Sequence, residues 1–314
     1  MKNLNEFAEN IEKYGFRVFF IAMGCAALAL GLAKEPSTKM LWYYIPAVML
    51  FVLAYVFRKK PDVTLIRVNG FMKMQGNEER LIKSKYKNNF VEPFNLSVEK
   101  LDDPEKLIEV FNKEYTIDVT KYLPQKTKKV IIGKARVPFL FIYGYMLREY
   151  KNNIGFIEII RDTPPLFLKK EKDSNRHLET EIIKHKNIDT SEVNELACLV
   201  SITGSIKESQ LPEDLTLDEI VEIKSSKTGY DQIRCKNDID NIAKSFREDL
   251  LTYPNIKHLH LFISAPTTVA IRLGMEFQEG TMPEISIYNY NSGEYNYCIS
   301  IDKQKCFKLN HPLQ

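Results

Sequence analysis

HLHLFISAPTTVAIRLGMEF, His258–Phe277, is the stretch that decides the fold of this chain. It opens as an apolar strand, turns through Ser264, Ala265 and Pro266, and continues as an apolar helix carrying Gly274. Proline suits a helix start because the first-turn N–H it lacks would have no partner within the helix. A second apolar strand, EISIYNYN from Glu284, follows, so the whole reads as a strand-helix-strand unit. The same order occurs earlier. KKVIIGKARVPFLFIYGYMLRE, Lys128–Glu149, runs from a strand through a junction at Pro138 into a helix with Gly144, and then into FIEIIRD from Phe156. The interval from Pro138 to Gly144 is two residues shorter than that from Pro266 to Gly274, so the repeat is degenerate.

Working outward, LACLVSI (Leu196–Ile202) and EIVEIK (Glu219–Lys224) read as further strands. Asn237–Leu251 reads as a helix with Ile239, Ile242, Ala243, Phe246, Leu250 and Leu251 in a stripe. Strands alternating with helices predict an α/β body with a mainly parallel sheet covered on both faces, repeated twice. Ligands of such sheets bind beyond the carboxyl ends of the strands. Those ends are Ala135–Phe139, Ser264–Thr268 and the turn TGSIKES after Ile202. A helix start offers free N–H groups and a partial positive charge, which suits phosphate. Pro138 and Pro266 mark the two helix starts. Thr203, Ser205, Ser264, Thr267 and Thr268 add hydroxyls, Gly204 lies within the turn, and Arg136 adds a fixed cation. Phe139, Tyr143, Tyr288 and Tyr290 stand where bases would stack, with Asn289 between the last two. Two related half-sites facing one cleft suit a ligand whose own phosphates repeat.

The start of the chain differs in kind. Phe16–Ala33 reads FRVFFIAMGCAALALGLA and Met40–Phe57 reads MLWYYIPAVMLFVLAYVF, joined only by KEPSTK. At 1.5 Å per residue, each run spans about 27 Å as a helix, close to the thickness of a bilayer's hydrocarbon core. The expectation is a two-span hairpin with both termini cytoplasmic, since Arg58, Lys59 and Lys60 follow the second span. A cleaved signal peptide would not be followed at once by a second apolar run. Leu4, Phe7, Ile11 and Tyr14 suggest an interfacial helix before it. Ala22 with Ala26, and Ala27 with Gly31, form small-residue stripes that let helices approach closely, while Pro46 is placed to bend the second span. The stripes serve either packing within the hairpin or a subunit interface lining a pore. The expected organisation is therefore hairpin 1–60, connector 61–127 and sensor body 128–314. The connector is rich in Lys, Asn and Glu and holds one helical candidate, DDPEKLIEVFNKEY.

Composition narrows the function. Forty-four Lys and Arg against 41 Asp and Glu leave a net charge of +3, which argues against duplex nucleic acid as partner. Five cysteines, at 25, 198, 235, 298 and 306, show no CxxC pair or metal spacing and fit a reducing compartment. No phosphate-loop motif is present, and GSIKES does not match one. His258 and His260 share one strand face, but no acidic or cysteine partner stands near them in sequence, so no metal is expected. Glu158 and Asp162 read as ordinary strand-end acids. No catalytic residues and no cofactor are assigned.

The Ser-Ala-Pro junction of His258–Phe277 followed by EISIYNYNSGEYNY, together with ARVPFLFIYGYMLRE and FIEIIRD, resembles the SAVED domain. That resemblance implies two fused Rossmann-like (CARF-like) units binding a cyclic oligonucleotide in bacterial anti-phage (CBASS) signalling. With the apolar runs added, the chain is similar to transmembrane-SAVED effectors. This implies a cyclic di- or trinucleotide ligand, the bilayer and copies of itself as partners, with a tetramer as one form. The expected place is the bacterial inner membrane, and the expected output a pore or disrupted bilayer. One departure stands out: the first half has Phe139 and Leu140 where the second has Thr267 and Thr268. The alternative from another class is a membrane-tethered Rossmann-like enzyme acting on a mononucleotide or nucleotide sugar.

Overall fold

The computed structural model describes residues 17–32, 41–56, 63–70, 82, 91–97, 105, 108–109, 123, 127–160, 164–170, 178–278, 282–302 and 307–311. The chain divides into two compact units, 1–62 with 88–90, and 63–87 with 91–314.

In the first unit, α1 (Arg17–Leu32) and α2 (Leu41–Val56) pack as a pair. The Phe51 ring lies against Gly24, where an added Cβ would sit 3.1 Å from its tip, and Ala47 is buried. Pro46 lies inside α2, which continues past it. Among the described residues, no helix is long and apolar enough to cross a membrane. Each helix covers 16 residues, about 24 Å against a hydrocarbon core of about 30 Å. The ends of the expected spans, Phe16, Ala33, Met40 and Phe57, lie outside the described residues, as do the interfacial segment and the turn. Ala26 is exposed; the surroundings of Ala22, Ala27 and Gly31 lie outside the description.

The second unit holds two sheets. The five-stranded sheet runs β2 (Val91–Ser97), β1 (Val63–Asn69), β3 (Lys128–Lys134), β4 (Ile154–Glu158), β5 (Leu166–Leu168), parallel except for β5. The expected connector 61–127 thus supplies two strands of this sheet. VTLIRVN was hidden by its polar surroundings, yet its β-branched residues form β1, an interior strand with all seven residues buried. Pro93 falls in β2, an edge strand among the described residues, the kind of strand that tolerates proline's missing donor. The helical candidate DDPEKLIEVFNKEY lies mostly outside the described residues.

The seven-stranded sheet runs β12 (Phe307–Asn310), β11 (Glu294–Ile301), β10 (Glu284–Asn291), β9 (His258–Ser264), β7 (Glu195–Ser201), β8 (Glu219–Ser225), β6 (Thr180–Lys184). Its four middle strands are parallel; the flanking strands are antiparallel. Helix α4 (Lys236–Leu250) buries Ile239, Ile242, Ala243, Phe246 and Leu250 at helical spacing. Leu251 drops out of the expected stripe: it follows the last helical residue and is exposed. Asp238 accepts the backbone N–H groups of Arg234 and Cys235 at 2.9 and 3.0 Å and so fixes the helix start.

The repeat read from the sequence is real in space. Helix α3 (Val137–Met146) joins β3 to β4, and α5 (Thr267–Gly274) joins β9 to β10. The two helices cross on their glycines. A Cβ on Gly144 would lie 1.9 Å from the Ile271 carbonyl oxygen, and one on Gly274 would lie 2.0 Å from that of Phe141. Each helix therefore rests its backbone on the other's, and one hydrophobic core continues through both sheets. α3 is apolar all round because it is buried all round.

Candidate ligand-binding site

Parallel strands bring their carboxyl ends to one edge, and the second sheet's edge collects several of the expected residues. Ser201 of β7 pairs in register with Ser264 of β9. Just beyond, the N–H groups of Ile202 and Thr203 donate to the Ser264 carbonyl at 2.9 and 2.8 Å, and the Thr203 and Ser264 hydroxyls lie 3.0 Å apart. Thr203, Gly204 and Ser264 thus form one polar ledge, with Ser205 exposed beside it. On the neighbouring strand, Tyr290 accepts a 3.1 Å hydrogen bond from Gln210 and rests edge-on against Tyr295, with 44% of its surface exposed.

Two contacts tie this edge to that of the first sheet. Arg136, at the start of α3, donates to the Asn291 side chain at the end of β10 at 3.0 Å. Reciprocally, Glu158 at the end of β4 reaches the start of α5. It accepts from the Thr268 N–H and the Thr267 hydroxyl, both at 3.2 Å, and from the Thr268 hydroxyl. The group that meets this helix start is therefore a carboxyl of the protein itself. Burial raises the pKa of Glu158; the hydrogen bonds from Thr268, Ile159 and Thr267 oppose that shift.

This changes how the expected site residues are read. Thr268 is buried and committed to Glu158, and Thr267 shares that partner. Phe139, Tyr143 and Pro138 are core residues, because α3 is enclosed on every side. Tyr288 is 4% exposed, stacked on Phe262 at 4.3 Å, and unable to hold a base; burial raises its pKa. Asn289 is buried and donates to Asn296 at 3.0 Å. What remains at the accessible edges is Arg136, Thr203, Gly204, Ser205, Ser264, Pro266, Thr267 and Tyr290, none of them fully buried. Sequence reading missed Gln210 and Asn291 entirely, and gave Glu158 no special role. A lone acid within FIEII was the available signal for the last.

Residues 115–302 match the family described as SAVED, the SMODS-associated and fused to various effectors sensor domain. The chain belongs to the SAVED family. Among solved structures similar to it are SAVED/CARF-domain receptors named Cap4. Those from Acinetobacter baumannii include one with the cyclic trinucleotide 3'3'3'-cAAA, at 16% identity and a TM-score of 0.47. Another holds 2'3'3'-cAAA, at 15% and 0.48. The Moraxella osloensis receptor stands at 17% and 0.45. Each comparison covers 82% of this chain, which spans 57% of the two Acinetobacter chains and 53% of the Moraxella chain. No curated protein matches.

The SAVED match takes in α3, α5 and both sheet edges of the site, while β1 and β2 precede it. The SAVED domain also has a charged cleft of about 550 Å³ flanked by α4 and α5. There Lys151 and Arg247 face Glu276 at 3.5 and 4.0 Å, and Arg272 binds Asp240 at 2.9 Å. Its cations are already engaged with these acids, so a phosphate would have to compete with internal ion pairs.

Proposed function

We propose that this SAVED domain senses a cyclic di- or trinucleotide held across the two strand-end edges, and that the hairpin is its membrane output. One observation supports the site above all: Arg136–Asn291 and Glu158–Thr268 lock the two edges together. A ligand laid over them meets hydroxyls from Thr203 and Ser264, a cation at Arg136 and an exposed ring at Tyr290. Such a surface suits repeating phosphates and bases. The enzyme alternative finds less here, because Glu158 is buried and spent on holding α5.

The hairpin reading rests on its outer face. Ile45, Val48, Met49 and Val52 follow the i, i+3, i+4, i+7 rule on α2 and are each more than half exposed. A continuous apolar stripe turned outward needs lipid or another apolar surface to cover it. In this reading the chain works at the bacterial inner membrane. Ligand binding drives copies together, and the assembled hairpins open a pore or disrupt the bilayer. Moving such a switch from 1:99 to 99:1 requires the ligand to favour the assembled state by about 5.5 kcal/mol.

The test is leakage from dye-loaded liposomes carrying the full chain, challenged with a panel of cyclic oligonucleotides. Release that depends on one panel member supports the coupling. Binding without release would leave the sensor and remove the membrane output.

A further inference from the structure

The opposite, amino-terminal edge of the seven-stranded sheet carries a cluster that the ligand site does not use. β7 and β9 are parallel, with Glu195 opposite His258 and Ala197 opposite His260. Residues two apart on a strand share a face, so Glu195 and both histidines come together although more than sixty positions separate them. One ligand atom from each of the three lies within 4.8 Å of the others. His260 Nε2 is 3.0 Å from a Glu195 carboxylate oxygen, and the two imidazoles stack at 4.4 Å with planes 5° apart.

Each imidazole is held from its far side. His260 Nδ1 lies 2.9 Å from the Tyr288 hydroxyl. His258 Nε2 lies 2.8 Å from the Ser286 hydroxyl, which is 2.6 Å from that of Ser300, itself bonded by Asn310 at 2.8 Å. Fixing one ring nitrogen sets the tautomer and orientation of the other, the arrangement that metal-ligating histidines use. Burial lowers the pKa of both rings, that of His260 to about 4. The Glu195 side chain is 38% exposed and leaves a way in.

We propose that Glu195, His258 and His260 form a binding site for a divalent transition metal ion, zinc by its donor set. Two imidazoles and one carboxylate select against calcium and magnesium, which take mostly oxygen ligands. Three protein ligands leave a fourth tetrahedral position for water. The ion would clasp β7 to β9 at the edge remote from the ligand cleft. This inference does not depend on what the cleft binds.

The test uses the untagged full chain, stripped with a chelator, desalted and given zinc chloride alone. Elemental analysis after gel filtration should find one zinc per chain. Cobalt chloride in its place should give the visible spectrum of a tetrahedral site. Glu195→Gln and His258→Gln should each weaken zinc binding by at least about tenfold, and Ser286→Ala by less. Wild-type protein that takes up no zinc overturns the proposal, with no variant needed. Zinc bound undiminished by folded Glu195→Gln and His258→Gln proteins overturns it equally.

Discussion

Gly274→Ala tests the helix crossing on which the two-half architecture depends. The new Cβ would lie 2.0 Å from the Phe141 carbonyl oxygen, 2.9 Å from its carbonyl carbon and 2.9 Å from the Tyr145 nitrogen, all backbone atoms. Contacts under 3.0 Å do not persist, so α3 and α5 must part by 1 Å or more. No side chain can rotate to make room. Overpacking costs about 1–3 kcal/mol and sometimes more, and a rigid obstacle places this case at the upper end. Better helix propensity returns about 1 kcal/mol, leaving a net loss of about 2 kcal/mol. For a body of this size that lowers Tm by roughly 4–8 °C. Scanning calorimetry of the full chain reads the shift. Gly204→Ala is the control, since its Cβ would meet only the Ser264 hydroxyl at an ordinary 3.4 Å. If Gly274→Ala melts at or above the wild-type temperature, the backbone contact between the halves is not there.

Glu158→Gln should destabilise the fold by about 1–3 kcal/mol at neutral pH, because an amide N–H then faces the buried donors of α5. The folded pKa of Glu158 is raised, so its contribution is largest below the ordinary carboxylate range and declines as pH rises through the folded value. Tm measured against pH should show wild type losing its margin over the variant upward; the reverse slope would mean that α5 holds the carboxylate ionised. Tyr290→Ala should weaken cyclic-oligonucleotide binding by about 1–3 kcal/mol without unfolding the protein, whereas Tyr288→Ala should cost roughly 3–5 kcal/mol of stability. Calorimetric titration and melting of both variants separate these roles. Lys at Val48 and Val52 should abolish liposome insertion, at about 2.5–3.5 kcal/mol per charge in the bilayer centre. Unchanged insertion by flotation would show that this face does not meet lipid.

The sequence carried the repeat well because strand, proline and glycine spacing are local properties. Both helices, their glycines and strands β3, β4, β9 and β10 follow from that spacing, and β7 and β8 from their apolar runs. β1 was lost because a seven-residue apolar strand between polar segments carries too little periodic signal. The site was harder to read. Burial is set by the other half of the molecule, so Phe139, Tyr143 and Tyr288 carried the same local signal as the exposed Tyr290. Thr267 and Thr268 were read as a helix start offering hydroxyls to phosphate; in the structure they face Glu158, more than a hundred residues earlier, a contact that depends on how the halves dock. Glu195 meets His258 and His260 only through strand register, which no spacing in the sequence encodes.

The central claim is that a cyclic oligonucleotide binds across the two strand-end edges. Isothermal titration of the full chain with cyclic di- and trinucleotides, repeated with Arg136→Ala, tests it most directly. The account predicts that one member of the panel binds wild type, and that losing the Arg136 cation costs about 1.5–3 kcal/mol, roughly ten- to a hundredfold in Kd. Silence across the whole panel, or equal affinity in a folded Arg136→Ala protein, would contradict it.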